Sequence, residues 1–349
     1  MRKGERETGR TGDNEASKSP TRRFGRSPVH VCEDGMLDSG IRRKLTGIFG
    51  PRARFDEPLS AYTSMRVGGP ADALVEVEGE EELGTLLALC ASRRLPFLAL
   101  GGGTNLIVRD GGFRGIAARL GGRLAEMEFG ERGARAGGGA PLGAVVSEAL
   151  RRGLAGLERL AGIPGTVGGA VRMNAGACGA EIGQAVAWAR LVDGSGGARR
   201  VEGRTMGFEY RGCAAAGYAV VAEVGLSLAQ GDPESLRAAA GECANRRAEW
   251  LPGEPNAGCI FKNPAGGPSA GEIIDRLGLK GAHAGGAAVH ARHANVIVNR
   301  GNATAADVLV LMQRMRAAVR EETGILLDPE VVIVGEENAH TIVSGGERG

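Results

Sequence analysis

Sixty of the 349 residues are glycine, and they crowd into apolar loops instead of spreading along the chain. No period of three runs through them, so a collagen-like triple helix is excluded. Glycine at this density lets backbone come close to backbone or to a ligand, because no Cβ stands in the way. The rest of the chain can build an interior around such loops. Hydrophobic residues make up 42% and charged residues 24%, globular values that exclude wholesale disorder. Aromatics are 4%, so the core rests on Leu, Val, Ile and Ala. The length suits two or three domains. No apolar run approaches the ~18–20 residues of a membrane span, so no membrane partner is expected.

Charge is unevenly placed. Residues 1–50 hold eleven Lys/Arg against seven Asp/Glu, whereas the remainder holds 32 against 34. The body is therefore close to neutral and offers no basic face to a nucleic acid. Residues 1–54 read as a disordered, charged extension without the apolar stretch of a secretory signal, and order is expected from near Phe55. Residues 341–349 read as a flexible tail. Six cysteines without a CxxC pair read as reduced thiols, which makes the cytoplasm the expected address.

From residue 55 to 230 short apolar strands alternate with glycine-rich turns. Leu83, Leu86, Leu87 and Cys90 recur at helical spacing over 80–94, followed by a strand at 95–100. A second helix over 142–152 ends at Gly153. The stretch 153–180 shows almost no periodicity. Residues 187–202 read as a hairpin around Asp193-Gly194, and 218–228 as a strand. A boundary falls at Gly231. Beyond it, Asp232-Pro233 caps a helix running to about Trp250. A strand through 259–262, a helix over 271–277, a strand over 294–299, a helix over 305–323 and a last strand after Asp328 complete a 231–340 unit. The mixture predicts an α+β fold in two lobes.

Two loops carry the chemistry. Leu100-Gly101-Gly102-Gly103-Thr104-Asn105 follows a strand, and its bare amides suit a pyrophosphate. It fits neither the GxGxxG nor the GxxxxGK[ST] pattern. On its own it reads equally as a tight turn. The second runs Gly162-Ile163-Pro164-Gly165-Thr166-Val167-Gly168-Gly169. Apolar residues between such glycines are unusual in a solvated loop, and two loops of this kind favour a large phosphate-containing cofactor. Tyr210-Arg211 at the end of an apolar stretch can hold a carboxylate, although a surface Arg beside a half-buried Tyr fits the spacing too. Cys259 between Gly258 and Ile260 reads as a small core residue. Glu330, at the head of the apolar run of 331–334, demands a partner such as Arg211. His290 and His293 have no third ligand nearby, so no metal is expected.

Taken in order, these segments resemble the UDP-N-acetylenolpyruvoylglucosamine reductase family, flavoenzymes of peptidoglycan precursor synthesis. The matching stretches are YTSMRVGGPAD (62–72), GGGTNLIV (101–108), GIPGTVGGAVRMNAGACG (162–179), FEYRG (208–212), NAGCIFKNP (256–264), the run 278–308, and LDPEVVIVG (327–335). The resemblance implies a flavin-binding lobe of the vanillyl-alcohol-oxidase/PCMH type in two subdomains, then a substrate-binding domain of the shorter subtype. It implies a non-covalent FAD held by Thr63, Arg66, Gly101, Gly102, Gly103, Thr104, Asn105, Gly162, Ile163, Pro164, Gly165, Thr166, Gly168, Gly169 and Asn174. It implies NADPH as reductant and UDP-N-acetylglucosamine enolpyruvate as substrate, the two using one site in turn. Arg211 would bind the substrate carboxylate, Glu330 would assist at the same end, and Cys259 stands where other members carry Ser as proton donor. Tyr210, Lys262, Asn263 and His293 would line the substrate site.

Three departures matter. A thiol is a stronger acid than a hydroxyl, so Cys259 either protonates the carbanion or loses its proton near a positive charge. Cys178 stands where the family usually has Tyr and reads as structural. Glu249 and Trp250 replace an uncharged segment and alter local substrate contacts. Two alternatives stay open: another PCMH-type FAD oxidoreductase acting on a sugar or alcohol, and a binding protein without catalysis.

Overall fold

A computed structural model describes residues 37–217 and 219–337. The expected disorder of residues 1–36, the expected flexible tail at 341–349, and the start of a strand at Tyr218 lie outside the described residues. Seven α-helices appear among the described residues. They are α1 (Ser39–Phe49), α2 (Glu80–Arg93), α3 (Leu142–Arg151), α4 (Val167–Arg172), α5 (Pro233–Trp250), α6 (Ala270–Arg276) and α7 (Ala305–Thr323).

Order begins before Phe55, which corrects the expected boundary. Asp38 caps α1, its carboxylate accepting from the Ile41 amide at 2.7 Å. Ile41, Leu45 and Phe49, four residues apart, then share one face and are buried against the first sheet and α2. Arg42 adds a two-pronged pair to Asp56. The charges of this stretch lie on the outer face of a helix whose inner face is core.

Two large sheets dominate the first lobe among the described residues. One has Ala53–Pro58, Pro70–Val77, Phe113–Leu120 and Phe97–Ala99 as spatial neighbours, the first pair antiparallel and the others parallel. The other is antiparallel: Ala198–Glu202, Val186–Asp193, Ala219–Ser227, Gly133–Gly137 and Met127–Gly130. The expected hairpin at Asp193-Gly194 forms its edge. The aperiodic stretch contains the short α4, capped by Thr166 through the Gly169 amide. The later lobe packs α6 and α7 on an antiparallel sheet of Asn256–Cys259, Val296–Asn299, Ala287–Val289 and His283–Ala284. The architecture is α+β.

The two lobes are stitched by the chain at several points. Val332–Val334 returns to the first lobe and pairs parallel with Leu106–Val108. Asp110 of the first lobe accepts from the Ala305 and Ala306 amides at 2.8 Å, capping α7 across the boundary. Met65, Val67 and Ile107 lie in the later lobe's core. These contacts fix the geometry of the cavity between the lobes.

Candidate active site

A cavity of about 1260 Å³ runs between the lobes. It exceeds the roughly 300–1,000 Å³ of a pocket for one drug-sized ligand. One wall is made by the two glycine loops: Gly101, Gly102, Gly103, Thr104 and Asn105 face Ile163, Pro164, Gly165, Thr166 and Gly169. The loops touch each other. A Cβ on Gly102 would lie 2.8 Å from the Gly165 Cα, and one on Gly101 would lie 2.7 Å from the Thr166 Oγ1. Among the described residues, the amides of Gly101, Gly102 and Gly103 donate to no backbone carbonyl. Glycine here is required by close approach, and the result is a wall of bare backbone.

At the other end Arg211, Cys259 and Glu330 meet. Arg211 stands at a turn with φ +58, between Phe208–Glu209 and Gly212–Cys213. Its Nε donates to Glu330 Oε1 at 2.5 Å, across 119 residues of sequence. Glu330 is set by its own backbone: its amide donates to the Ile260 carbonyl, and its carbonyl accepts from Asn105 Nδ2 at 3.1 Å. That last bond joins the first glycine loop to the backbone that carries the carboxylate. Cys259 ends the strand paired with Val296–Asn299.

Burial sets the protonation states. It works to discharge Arg211, but the Glu330 carboxylate more than offsets this and the guanidinium is held charged. Burial pushes the Glu330 carboxyl above the ordinary carboxylate range, against the pull of Arg211. The Cys259 thiol is pushed up to about 11, first by burial and then by Glu330, with Arg211 and Arg247 opposing. The thiol therefore keeps its proton at neutral pH. Proximity to positive charge does not strip it, and it is a weaker acid than a free cysteine. His293 is lowered by burial and is neutral at pH 7.

Of the substrate-site expectations, Asn263 and His293 line this cavity, and Tyr210 and Lys262 do not. Tyr210 is 46% exposed, its ring under the Arg211 guanidinium at 4.9 Å. The Lys262 amide closes a backbone bond to Asp328, and its charge reaches Glu330 only through space. Asn263 spends Oδ1 on the Ala270 amide, shaping the start of α6.

Several expected flavin contacts also lie off the cavity wall. Thr63 is buried with its hydroxyl donating to the Val67 carbonyl at 3.0 Å, and Arg66 is an exposed turn residue. This segment instead ties the lobes: Ser64 Oγ donates to the Asn256 carbonyl at 2.6 Å, and the Met65 carbonyl accepts from Asn299. Gly162 packs on Ala244 of α5, and the Gly168 amide donates to the Gly138 carbonyl. Asn174 is 1% exposed and braces Glu181, Glu209 and Gly183. None of these five lines the cavity.

Sequence reasoning flagged Trp250 of α5 as altering substrate contacts but gave Arg247 of the same helix no role. Arg247 and Trp250 line the cavity beside His293. Trp250 stacks on the His293 ring at 4.6 Å, and the Arg247 guanidinium lies 5.5 Å from the Trp250 ring centre. Arg247 Nε and His293 Nδ1 are buried without a protein partner. Buried polar atoms in that state ask for a ligand. The run of Arg246, Arg247 and Trp250 at the end of a capped helix was the available signal.

Comparison with known proteins agrees with this arrangement. Residues 251–334 match the C-terminal domain of UDP-N-acetylenolpyruvoylglucosamine reductase, and residues 71–202 match an FAD binding domain. The UDP-N-acetylenolpyruvoylglucosamine reductase of Desulfosudis oleivorans is 44% identical over 313 residues, covering 86% of this chain and 100% of that one. The second such enzyme of Symbiobacterium thermophilum is 46% identical over 286 residues, covering 81% of this chain and 92% of that one. The crystal structure of the Thermus caldophilus enzyme superposes with a TM-score of 0.70 at 37% identity, covering 80% of this chain and 97% of that one. Identity at that level over nearly the whole of these relatives makes the chain a member of the UDP-N-acetylenolpyruvoylglucosamine reductase family.

Proposed function

We propose that the chain reduces the enolpyruvyl group of UDP-N-acetylglucosamine enolpyruvate to UDP-N-acetylmuramate, with NADPH as reductant and a non-covalently held FAD. One observation carries this reading. Arg211, Cys259 and Glu330, drawn from three distant segments, converge at one end of a cavity whose other wall is two glycine loops. The fit to a dinucleotide rests on that wall, where bare amides and missing Cβ atoms admit a pyrophosphate against the backbone. Gly101 to Asn105 and Ile163 to Thr166 would hold it. When bound, FAD accepts two electrons from NADPH and supplies them to the substrate double bond.

The protein's own groups do the rest. Arg211 binds the substrate carboxylate and stabilises the negative charge that builds on it in the transition state. Glu330 aims the guanidinium, and a carboxyl that takes up a proton more readily than usual can release Arg211 to the substrate. Cys259 Sγ holds the proton that the carbon beside the carboxylate must receive. A pKa of about 11 keeps that proton in place until the carbanion forms. Arg247 adds a second cation to the same end, and its unpaired Nε is a donor for a phosphate or carboxylate oxygen. Lys262 and Tyr210 would then act by charge and by covering the site from outside.

For the wider assignments, the division at Gly231 separates flavin binding from substrate binding. No helix among the described residues is long and apolar enough to cross a membrane. A cytoplasmic place suits a chain that consumes NADPH and a nucleotide sugar. Arg211→Ala tests the function. It should abolish turnover while the protein stays yellow, and turnover that survived would remove the assigned mechanism.

A further inference from the structure

Trp250 stands on the face of the later sheet that α6 and α7 leave open. Ala287, Val289 and Ile297 belong to the helical core, whereas Ala288, Val296 and Val298 form a small buried cluster of their own. The half-buried indole packs against that second cluster. Val296 is the cross-strand partner of Cys259, so the thiol and the indole lie on the same face of the sheet. The end of α5 is tied here a second time, because Arg292 Nη1 donates to the Glu249 carbonyl at 3.3 Å, beside His293. Arg247 and Trp250 are three residues apart and share one side of α5. The indole therefore meets the His293 ring at 4.6 Å and the Arg247 guanidinium at 5.5 Å.

We propose that Trp250 is a positioning residue that aims Arg247 and His293 at the carboxylate of the enolpyruvyl sugar, and so favours the sugar over NADPH in the cavity they share. This role rests on the reductase reading. A free arginine samples many rotamers, and ordering it costs entropy. A guanidinium within about 6 Å of an indole centre is held by the ring quadrupole, so Arg247 is ordered before a ligand arrives. The same indole fixes the His293 ring. Arg247 Nε and His293 Nδ1, buried in the cavity wall without a protein partner, are left for ligand oxygens. A neutral imidazole with its proton on Nδ1 donates to an oxygen without adding charge. Charge then separates the two ligands. Arg211 is already paired with Glu330, while among the described residues no carboxylate pairs with Arg247. A carboxylate arriving beside Cys259 compensates that cation. The dihydronicotinamide of NADPH brings a neutral carboxamide and compensates nothing.

The test uses the flavin-loaded full chain and follows the two half-reactions separately by anaerobic stopped flow, each over a range of ligand concentration. Trp250→Leu should raise the sugar concentration that gives half-maximal recovery of colour by about 5- to 30-fold, the range a desolvated stacked guanidinium contributes. The limiting rate of recovery, and the NADPH dependence of bleaching, should stay within about twofold of the parent. Trp250→Phe keeps a ring and should restore most of the sugar affinity. Trp250→Leu combined with Arg247→Met should weaken the sugar by less than the product of the separate effects, because the two substitutions remove one arrangement. Equal weakening of both half-reactions, no change in either, a fall in limiting rate at unchanged sugar dependence, or fully multiplicative effects would overturn the proposal. A parent enzyme that the sugar does not recolour would instead overturn the reductase reading, and the role of Trp250 with it.

Discussion

Replacing Cys259 by Ala removes the assigned proton donor and little else. A positioned general acid contributes about 10²- to 10⁴-fold. At ~1.36 kcal/mol per tenfold, that is about 3–5 kcal/mol of transition-state stabilisation. The structural loss is far smaller. One Sγ leaves the end of a strand, worth about 0.8 kcal/mol on the scale of one methylene. In a chain of this size that lowers the unfolding midpoint by only about 2 °C. Turnover with the enolpyruvyl sugar should therefore fall by two to four orders of magnitude at nearly unchanged stability. The two half-reactions separate the causes. Anaerobic bleaching of the flavin by NADPH should keep its rate, and recovery of colour with the sugar should be lost. Cys259→Ser should restore much of that second step, because a hydroxyl can fill the same position. A Cys259→Ala enzyme that turns over within about tenfold of the parent would refute the donor assignment, since a general acid is worth at least ~10²-fold.

The same thiol predicts the pH profile. The protonated form is the donor and its pKa is about 11, so the alkaline limb of the sugar half-reaction should lie well above pH 9. A limb near the free-thiol value of ~8.5 would mean that Cys259 is not buried as described. Gly102→Ala puts a Cβ 2.8 Å from the Gly165 Cα and must spread the two loops. Overpacking of this kind costs about 1–3 kcal/mol, and flavin affinity should fall by about 5- to 150-fold in a fluorescence titration. An unchanged affinity would remove the loops from the flavin site. Phe49→Ala deletes a 2% exposed ring of α1. It should cost about 3–5 kcal/mol in urea unfolding, whereas an effect below ~1 kcal/mol would show that α1 is not part of the core.

What the sequence revealed depended on whether the signal was local. The helices α5 and α7 are legible from their caps, Asp232-Pro233 and Thr304 with Asp307, and both end where periodicity stops. The glycine loops declare themselves because apolar residues between glycines have few other uses. The Arg211–Glu330 pair is different. No local pattern links residues 119 apart; the need of a carboxylate in an apolar stretch for a partner made Arg211 a candidate, and the family resemblance put both at one carboxylate site. The helix α1 was hidden by its own outer face, since a charged surface and a charged extension have the same composition. The Thr63 to Val67 segment shows a related limit. A motif fixed by lobe-to-lobe hydrogen bonds looks the same in sequence as one fixed by a ligand. Arg247 could be seen as an arginine, but its burial without a partner is a fact of packing that spacing cannot encode. Burial also decided the Cys259 question, which residue type alone left open in both directions.

The most direct test of the central claim is the visible spectrum of the purified protein under anaerobic conditions. NADPH is added first, and UDP-N-acetylglucosamine enolpyruvate after the excess reductant is removed. The account predicts a yellow protein that bleaches with NADPH and regains its colour with the sugar. A bleached protein that recovers with oxygen but not with the sugar would contradict it, and would make the chain an oxidoreductase of another substrate.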